Sequence, residues 1–127
     1  MNTTEIGKKG EQIAKMFLVK RGFCSFEANF RRKSGEIDIV AHETLTGALW
    51  FFEVKAITVR SFSDRVIDDF RPEDRVDRRK LAKIYRTIEL FLLQKGVSQE
   101  TEWRLGVVTV LINQEKRVAR VSLIPVH

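Results

Sequence analysis

Cysteine is nearly absent: Cys24 is the single one in 127 residues, so no disulfide can close within the chain and no multi-cysteine zinc site can form. In its strand-like setting the thiol is expected to be an inert packing residue. Two prolines and seven glycines are too few for disorder to describe the chain as a whole. No stretch approaches the roughly 18 apolar residues that a membrane span needs. Met1–Gly10 is polar and charged, without the apolar core of a signal peptide. The expectation is a cytoplasmic protein with no membrane partner. There is neither an internal repeat nor a low-complexity tract.

What is present is an ordinary globular balance, 43% hydrophobic and 31% charged, in a length that suits one domain able to bury a core without staples. Lys and Arg outnumber Asp and Glu by 23 to 17, a formal charge of +6. A polyanionic partner is favoured, because each cation set on a phosphate releases counterions. A basic protein with no such partner has the same composition.

Residues 3–21 read as a helix, with Asn2 and Glu5 in a capping arrangement and Gly22 as the stop. Gly7, Glu11, Ala14 and Leu18 share a stripe that Ile13 and Phe17 widen. Gly7, Gly10 and Ala14 would let the helix approach a sheet closely. Residues 23–29 form a first strand, and Arg31–Gly35 a basic turn. A second strand over 36–42 puts Ile37, Ile39 and Ala41 on one face, and Glu36, Asp38 and Val40 on the other. Residues 48–57 make the strongest strand in the chain. Thr58–Arg71 lacks a period and has the length of a functional loop. Pro72 opens a second helix that runs to about Lys95, with Leu81, Ile84, Ile88, Phe91 and Leu92 as its core stripe. Strands over 104–112 and 117–126 close the chain as a hairpin around Asn113–Lys116. The order helix, three strands, helix, two strands predicts a mixed sheet with helices packed on it, an α/β or α+β domain.

Two charges interrupt the apolar strand Trp50-Phe51-Phe52-Glu53-Val54-Lys55-Ala56. Two residues apart, Glu53 and Lys55 share a face. In a central strand they would lose water, and an unpaired buried charge costs several kcal/mol. Asp38, a poor strand former, sits between two isoleucines. Both anomalies are resolved if Asp38 and Glu53 lie on neighbouring strands and share a divalent cation. Carboxylates without a Cys or His cluster suit Mg²⁺ or Mn²⁺. Lys55 would then orient a water nucleophile or stabilise charge on phosphate. Glu11, on an inward stripe, is a fourth candidate. Each residue also has a plainer reading: Glu53 and Lys55 as an ion-paired solvent face, Asp38 with Glu36 as an acidic one, Glu11 paired with Lys15 at i, i+4.

Asp38 followed by Glu53-Val54-Lys55 resembles the D…(D/E)-x-K signature of the PD-(D/E)xK nuclease superfamily, and a preceding helical Glu11 is similar to its Holliday-junction-resolvase-like branch. The closer resemblance is to the YraN-like family of small bacterial proteins. Gly10-Glu11 with Ala14, Asn29-Phe30-Arg31 followed by Gly35-Glu36-Ile37-Asp38-Ile39-Val40-Ala41, and Phe52-Glu53-Val54-Lys55 match its three motifs in order, and Val76 and Lys80 fit its pattern. The resemblance spans roughly residues 7–95. It implies a restriction-endonuclease-like core over residues 1–127, a Mg²⁺-dependent DNA endonuclease acting on branched or flapped DNA, and no organic cofactor. It implies Asp38, Glu53 and the Val54 carbonyl as metal ligands, Lys55 as the catalytic lysine and Glu11 as an auxiliary acid. Glu36 would face the site or organise the turn. Ala56, Ile57 and the Thr58–Arg71 loop depart from the family pattern, which bears on substrate preference.

Arg31, Arg32 and Lys33 before the Asp38 strand, and Arg60, Arg65 and Lys80 after the Glu53 strand, are candidate phosphate contacts. Such contacts position a backbone without reading sequence, and no helix-turn-helix or zinc finger is apparent. A structure-selective nuclease fits, and a homodimer by analogy with resolvases. A non-catalytic nucleic-acid-binding module keeping the fold is the alternative, and an adaptor that binds another protein a further one.

Overall fold

The computed structural model describes residues 1–62 and 78–126. Helix α1 (Thr3–Lys20) starts where Asn2 Oδ1 accepts the Glu5 N–H at 2.9 Å while the Asn2 amide donates to the Glu5 carboxylate. It stops at Gly22, whose φ of 91° only glycine adopts without strain. Strands β1 (Phe23–Arg32), β2 (Gly35–Glu43) and β3 (Leu49–Thr58) follow, then helix α2 (Arg78–Gln94), β4 (Trp103–Asn113) and β5 (Val118–Val126). This is the expected order. The expected helix start at Pro72 lies outside the described residues, and Gly96, at φ 64°, ends the helix. Among the described residues no helix is long and apolar enough to cross a membrane.

The five strands lie in chain order in one sheet. β3 and β4 run parallel, and every other neighbouring pair antiparallel. β4 is buried through almost its whole length, as expected of a strand covered on both faces. On one face α1 packs Ala14 and Leu18 against Phe23, Ile39, Ala41, Trp50, Phe52 and Val108. On the other, α2 packs Ile84, Ile88 and Phe91 against Phe30, Ile37, Val40 and Phe51. Gly10 is what brings α1 so close: a Cβ there would stand 2.4 Å from the Ala56 Cβ. Gly7, by contrast, has nothing within 4 Å of such a position, so it does not contribute to the approach.

β1 extends past the expected 23–29, and only Lys33 and Ser34 turn the chain. Arg31 pairs with Glu36 across the ladder at 3.2 Å, and Arg32 lies over the Phe30 ring and hydrogen-bonds Gln94. These contacts carry the ladder to its end. The hairpin tip is tied to α2 by Ser34 Oγ and Thr87 Oγ1, 2.6 Å apart, and Thr87 Oγ1 also donates to the Lys83 carbonyl. Thr87 is fully buried, which the apolar pattern of α2 did not reveal. Thr87→Val keeps the shape and removes the hydroxyl, so a loss of about 1–2 kcal/mol in a urea titration is expected.

Cys24 is exposed rather than packed, because the β1 register shifts between Cys24 and Glu27. β2 also departs from the expected alternation, which put Ile37, Ile39 and Ala41 on one face. Ile37 joins the α2 side of the core, whereas Ile39 and Ala41 join the α1 side. The alternation reverses at Asp38, beside Asn29 on β1, which has a φ of 55°.

Candidate active site at a fork in the sheet

β2 and β3 pair only from Ile39↔Phe52 to His42↔Leu49. Beyond Phe52 the two strands part, while β3 stays zipped to β4 along all ten residues. Asp38 and Glu53 are the first residues past this fork. The Val54 N–H is met there by Asp38 Oδ2 at 2.7 Å. A carboxylate thus bridges the fork and leaves its other oxygen without that duty.

Glu53 Oε1 receives Lys55 Nζ at 3.1 Å and Lys80 Nζ, from the first turn of α2, at 3.7 Å. The Glu53 side chain is 14% exposed and that of Lys55 22%. An ordinary solvent face would leave both far more open. The ion pair runs along one strand rather than across strands. Glu11 approaches the gap from the α1 side, where the Asn29 side chain reaches its carboxyl. It does not take Lys15 as its partner in the cluster; the Lys15 ammonium lies 5.3 Å from the centre of the Phe26 ring.

The electrostatics follow from this crowding. Burial first, then the Glu53 charge, pushes the Asp38 carboxyl up to about 7 against the Val54 hydrogen bond that favours its ionised form. Burial, followed by Glu36, raises Glu11. Burial works against the Lys55 charge, but the Glu53 carboxylate that holds it outweighs that cost, and its pKa is raised. Lys80 is lowered by its closeness to the Lys55 ammonium and by burial. The two acids raised by crowding, Asp38 and Glu11, thus stand beside a third, Glu53, that holds two ammoniums.

Among the described residues no group of three or more His, Cys, Asp or Glu side chains is placed to cage a metal ion. Two carboxylates, Asp38 and Glu53, are what the fork offers, with the backbone of Val54 between Glu53 and Lys55. Glu11 is at the margin, close enough to raise the Asp38 pKa. The arrangement brings Asp38, Glu53 and Lys55 together. Of the candidate phosphate contacts, Arg31 is engaged by Glu36 and Arg32 by Phe30 and Gln94. Lys33 is exposed at the hairpin turn, and Arg60 just beyond β3, at the same end of the sheet. Arg65 lies outside the described residues.

Lys80, a candidate phosphate contact, stands with its ammonium 3.7 Å from the Glu53 carboxylate, inside the cluster rather than on an outer rim. Lys80 lies four and seven residues before Ile84 and Thr87, on the inward stripe of α2, just as Glu11 lies on that of α1, although periodicity alone does not say which residue it meets. Asn29, part of the Asn29-Phe30-Arg31 motif, has a left-handed backbone and reaches Glu11, neither of which the motif itself signals.

Residues 10–110 match the Uncharacterised protein family UPF0102. A UPF0102 protein of Caldicellulosiruptor bescii is 32% identical over 98% of this chain and 97% of its own length. One from Campylobacter jejuni is 40% identical over 74% of each chain, and one from Clostridium botulinum 32% identical over 86% of this chain and 81% of its own. The matched span includes Glu11, the whole fork and Lys80. The chain belongs to the UPF0102, or YraN-like, family.

Proposed function

We propose that this protein is a divalent-metal-dependent nuclease, hydrolysing phosphodiester bonds at the fork between β2 and β3. One observation carries the reading: two carboxylates and two ammoniums converge, partly buried, where a central strand loses its neighbour. A structural ion pair does not require Asp38 to stand beside Glu53 with its pKa pushed up to about 7. The order of Asp38, Glu53-Val54-Lys55 and helical Glu11 also matches the PD-(D/E)xK superfamily pattern.

The residues fit a Mg²⁺ or Mn²⁺ ion. Asp38 Oδ2 is taken by the Val54 N–H and Glu53 Oε1 by the lysines, which leaves one oxygen of each carboxylate for a cation. Hard cations of this kind are bound by few protein oxygens and complete their shell with water and phosphate. Asp38 and Glu53 would hold the ion, with the Val54 carbonyl as a third donor. Bound there, it would polarise the phosphate and lower the pKa of water.

The chain supplies the rest. Lys55, fixed by Glu53, presents a charged donor to the non-bridging oxygens on which negative charge grows. Lys80 places a second ammonium beside it. Glu11, with its raised pKa, is suited to hold or release a proton near the attacking water. The exposed cations Lys33 and Arg60 at one end of the sheet would position a backbone without reading bases. DNA that is branched or flapped is the substrate this favours, and a homodimer the assembly suggested by resolvase analogy.

A non-catalytic module would share the 3.1 Å Glu53–Lys55 pair. Lys55→Met separates the two readings. Incubated with labelled branched and linear DNA and Mn²⁺, wild type should cut, and the variant should be slower by roughly 100-fold or more while still binding the metal. DNA that is bound but left intact by wild type would favour the module.

A further inference from the structure

A groove of about 370 Å³ lies between α1 and the edge strand β1, with Lys8, Gln12 and Lys15 on the helix side, and Phe26 and Asn29 on the strand side. Glu11 also lines it, so the groove shares a wall with the acid that neighbours Asp38. Its size falls in the ~300–1,000 Å³ range of small-ligand sites.

Lys8, Gln12 and Lys15, at offsets of four and three, form one exposed stripe of α1. The Phe26 ring is half-buried, resting against the α1 side of the core, with the Lys15 ammonium 5.3 Å from its centre. β1 is irregular here: Ser25 and Asn29, on either side of this stretch, have positive φ, and the register with β2 shifts between Cys24 and Glu27. An edge strand so distorted re-aims its side chains.

We infer that this groove is a subsite for one unpaired nucleotide of a nucleic-acid strand. The base stacks on Phe26 in the place that the Lys15 ammonium holds over the ring, Gln12 meets its edge, and Lys8 and the displaced Lys15 take the flanking phosphates. The two lysines are seven residues apart, about 10 Å along the helix axis. A single phosphate cannot span that distance, whereas successive phosphates of a strand can. An aromatic ring beside spaced cations is how single strands are held without sequence preference. Glu27, which shares the groove wall, is engaged by Lys95 at 3.0 Å and so does not repel the strand as a bare charge. A paired base in continuous duplex has no free face for Phe26. The inference rests on the nuclease reading for the fate of the strand, and it narrows the substrate to one with an unpaired nucleotide beside the cut.

Binding tests this apart from cleavage. A labelled single-stranded oligonucleotide and the blunt duplex of the same sequence are titrated in EDTA, by anisotropy, with wild type, Phe26→Leu and Lys15→Gln. Wild type should prefer the single strand. Phe26→Leu should weaken the single strand roughly tenfold or more and leave the duplex unchanged. Lys15→Gln, at an exposed position where folding is not at stake, should weaken the single strand and reduce its salt slope by about one. A 2-aminopurine base in the strand should be quenched by wild type and not by Phe26→Leu. Equal affinities for single strand and duplex, or an unaltered single-strand affinity in both variants, would overturn the subsite even if the protein cuts DNA. The expected binding pattern without cleavage would sustain the subsite and remove the nuclease reading.

Discussion

Asp38→Asn is expected to make the metal-free protein more stable while it removes the activity. In the fold the Asp38 carboxyl sits at about 7 against an ordinary 3.8, through burial and then the Glu53 charge. Between those pH values the folded chain keeps a proton that the unfolded chain has released, so stability falls as pH rises through this window. The full penalty is present above about pH 7 and absent below about pH 4. Its size is on the order of 4 kcal/mol as an upper bound. Asparagine preserves an oxygen for the Val54 N–H and carries no charge. In EDTA at about pH 8 the variant should gain roughly 2–4 kcal/mol in a urea titration, and the gain should vanish as pH falls toward 4. With Mn²⁺, cleavage should drop by roughly 100-fold or more, because half the carboxylate pair is gone. Equal stability of the two proteins at both pH values would mean that Asp38 is an ordinary hydrated acid.

The second large effect is structural and lies one residue from the proposed auxiliary acid. Gly10→Val should cost roughly 3 kcal/mol or more, because a Cβ would meet the Ala56 Cβ at 2.4 Å and both atoms are fixed to backbone. Helix propensity alone would favour replacing this glycine by about 1 kcal/mol, so the sign of the measured change is informative. Gly10→Ala should also destabilise, by a smaller amount, and Ala56→Gly combined with it should recover much of the loss. Displacing α1 would carry Glu11 away from Asn29, so activity should fall with stability in the single variants and return in the pair. Denaturant titrations of the two singles and the double measure the coupling directly. This contact also accounts for Ala56: it is the small residue that α1 rests on.

Much of this was legible in the chain. The FEVK strand is apolar on both sides of its charges, and that composition belongs to a strand covered on both faces, which β3 is. The inward stripe of α1 with Glu11 on it came from periodicity alone. The reversal of faces at Asp38 was not legible, because a period of two holds only while backbone angles stay extended, and Asn29 beside it on β1 has a φ of 55°. The exposure of Cys24 escaped for the same reason, since strand character says nothing of a register shift at an edge. Lys80 lies far from Glu53 in sequence, and only the packing of α2 over the sheet brings their side chains within 3.7 Å.

A fork that can be described with strands alone has chemical meaning only if a cation binds in it. The measurement closest to that claim is a calorimetric titration of wild type and Asp38→Asn with Mn²⁺, repeated at about pH 6 and pH 8 in buffers of different ionisation enthalpy. Wild type should bind, more tightly at the higher pH and with more proton release at the lower, since the Asp38 proton must leave. Asp38→Asn should bind far more weakly and release no proton. No binding by wild type, or equal binding by both proteins, would contradict the metal site and leave Glu53 and Lys55 as a structural ion pair.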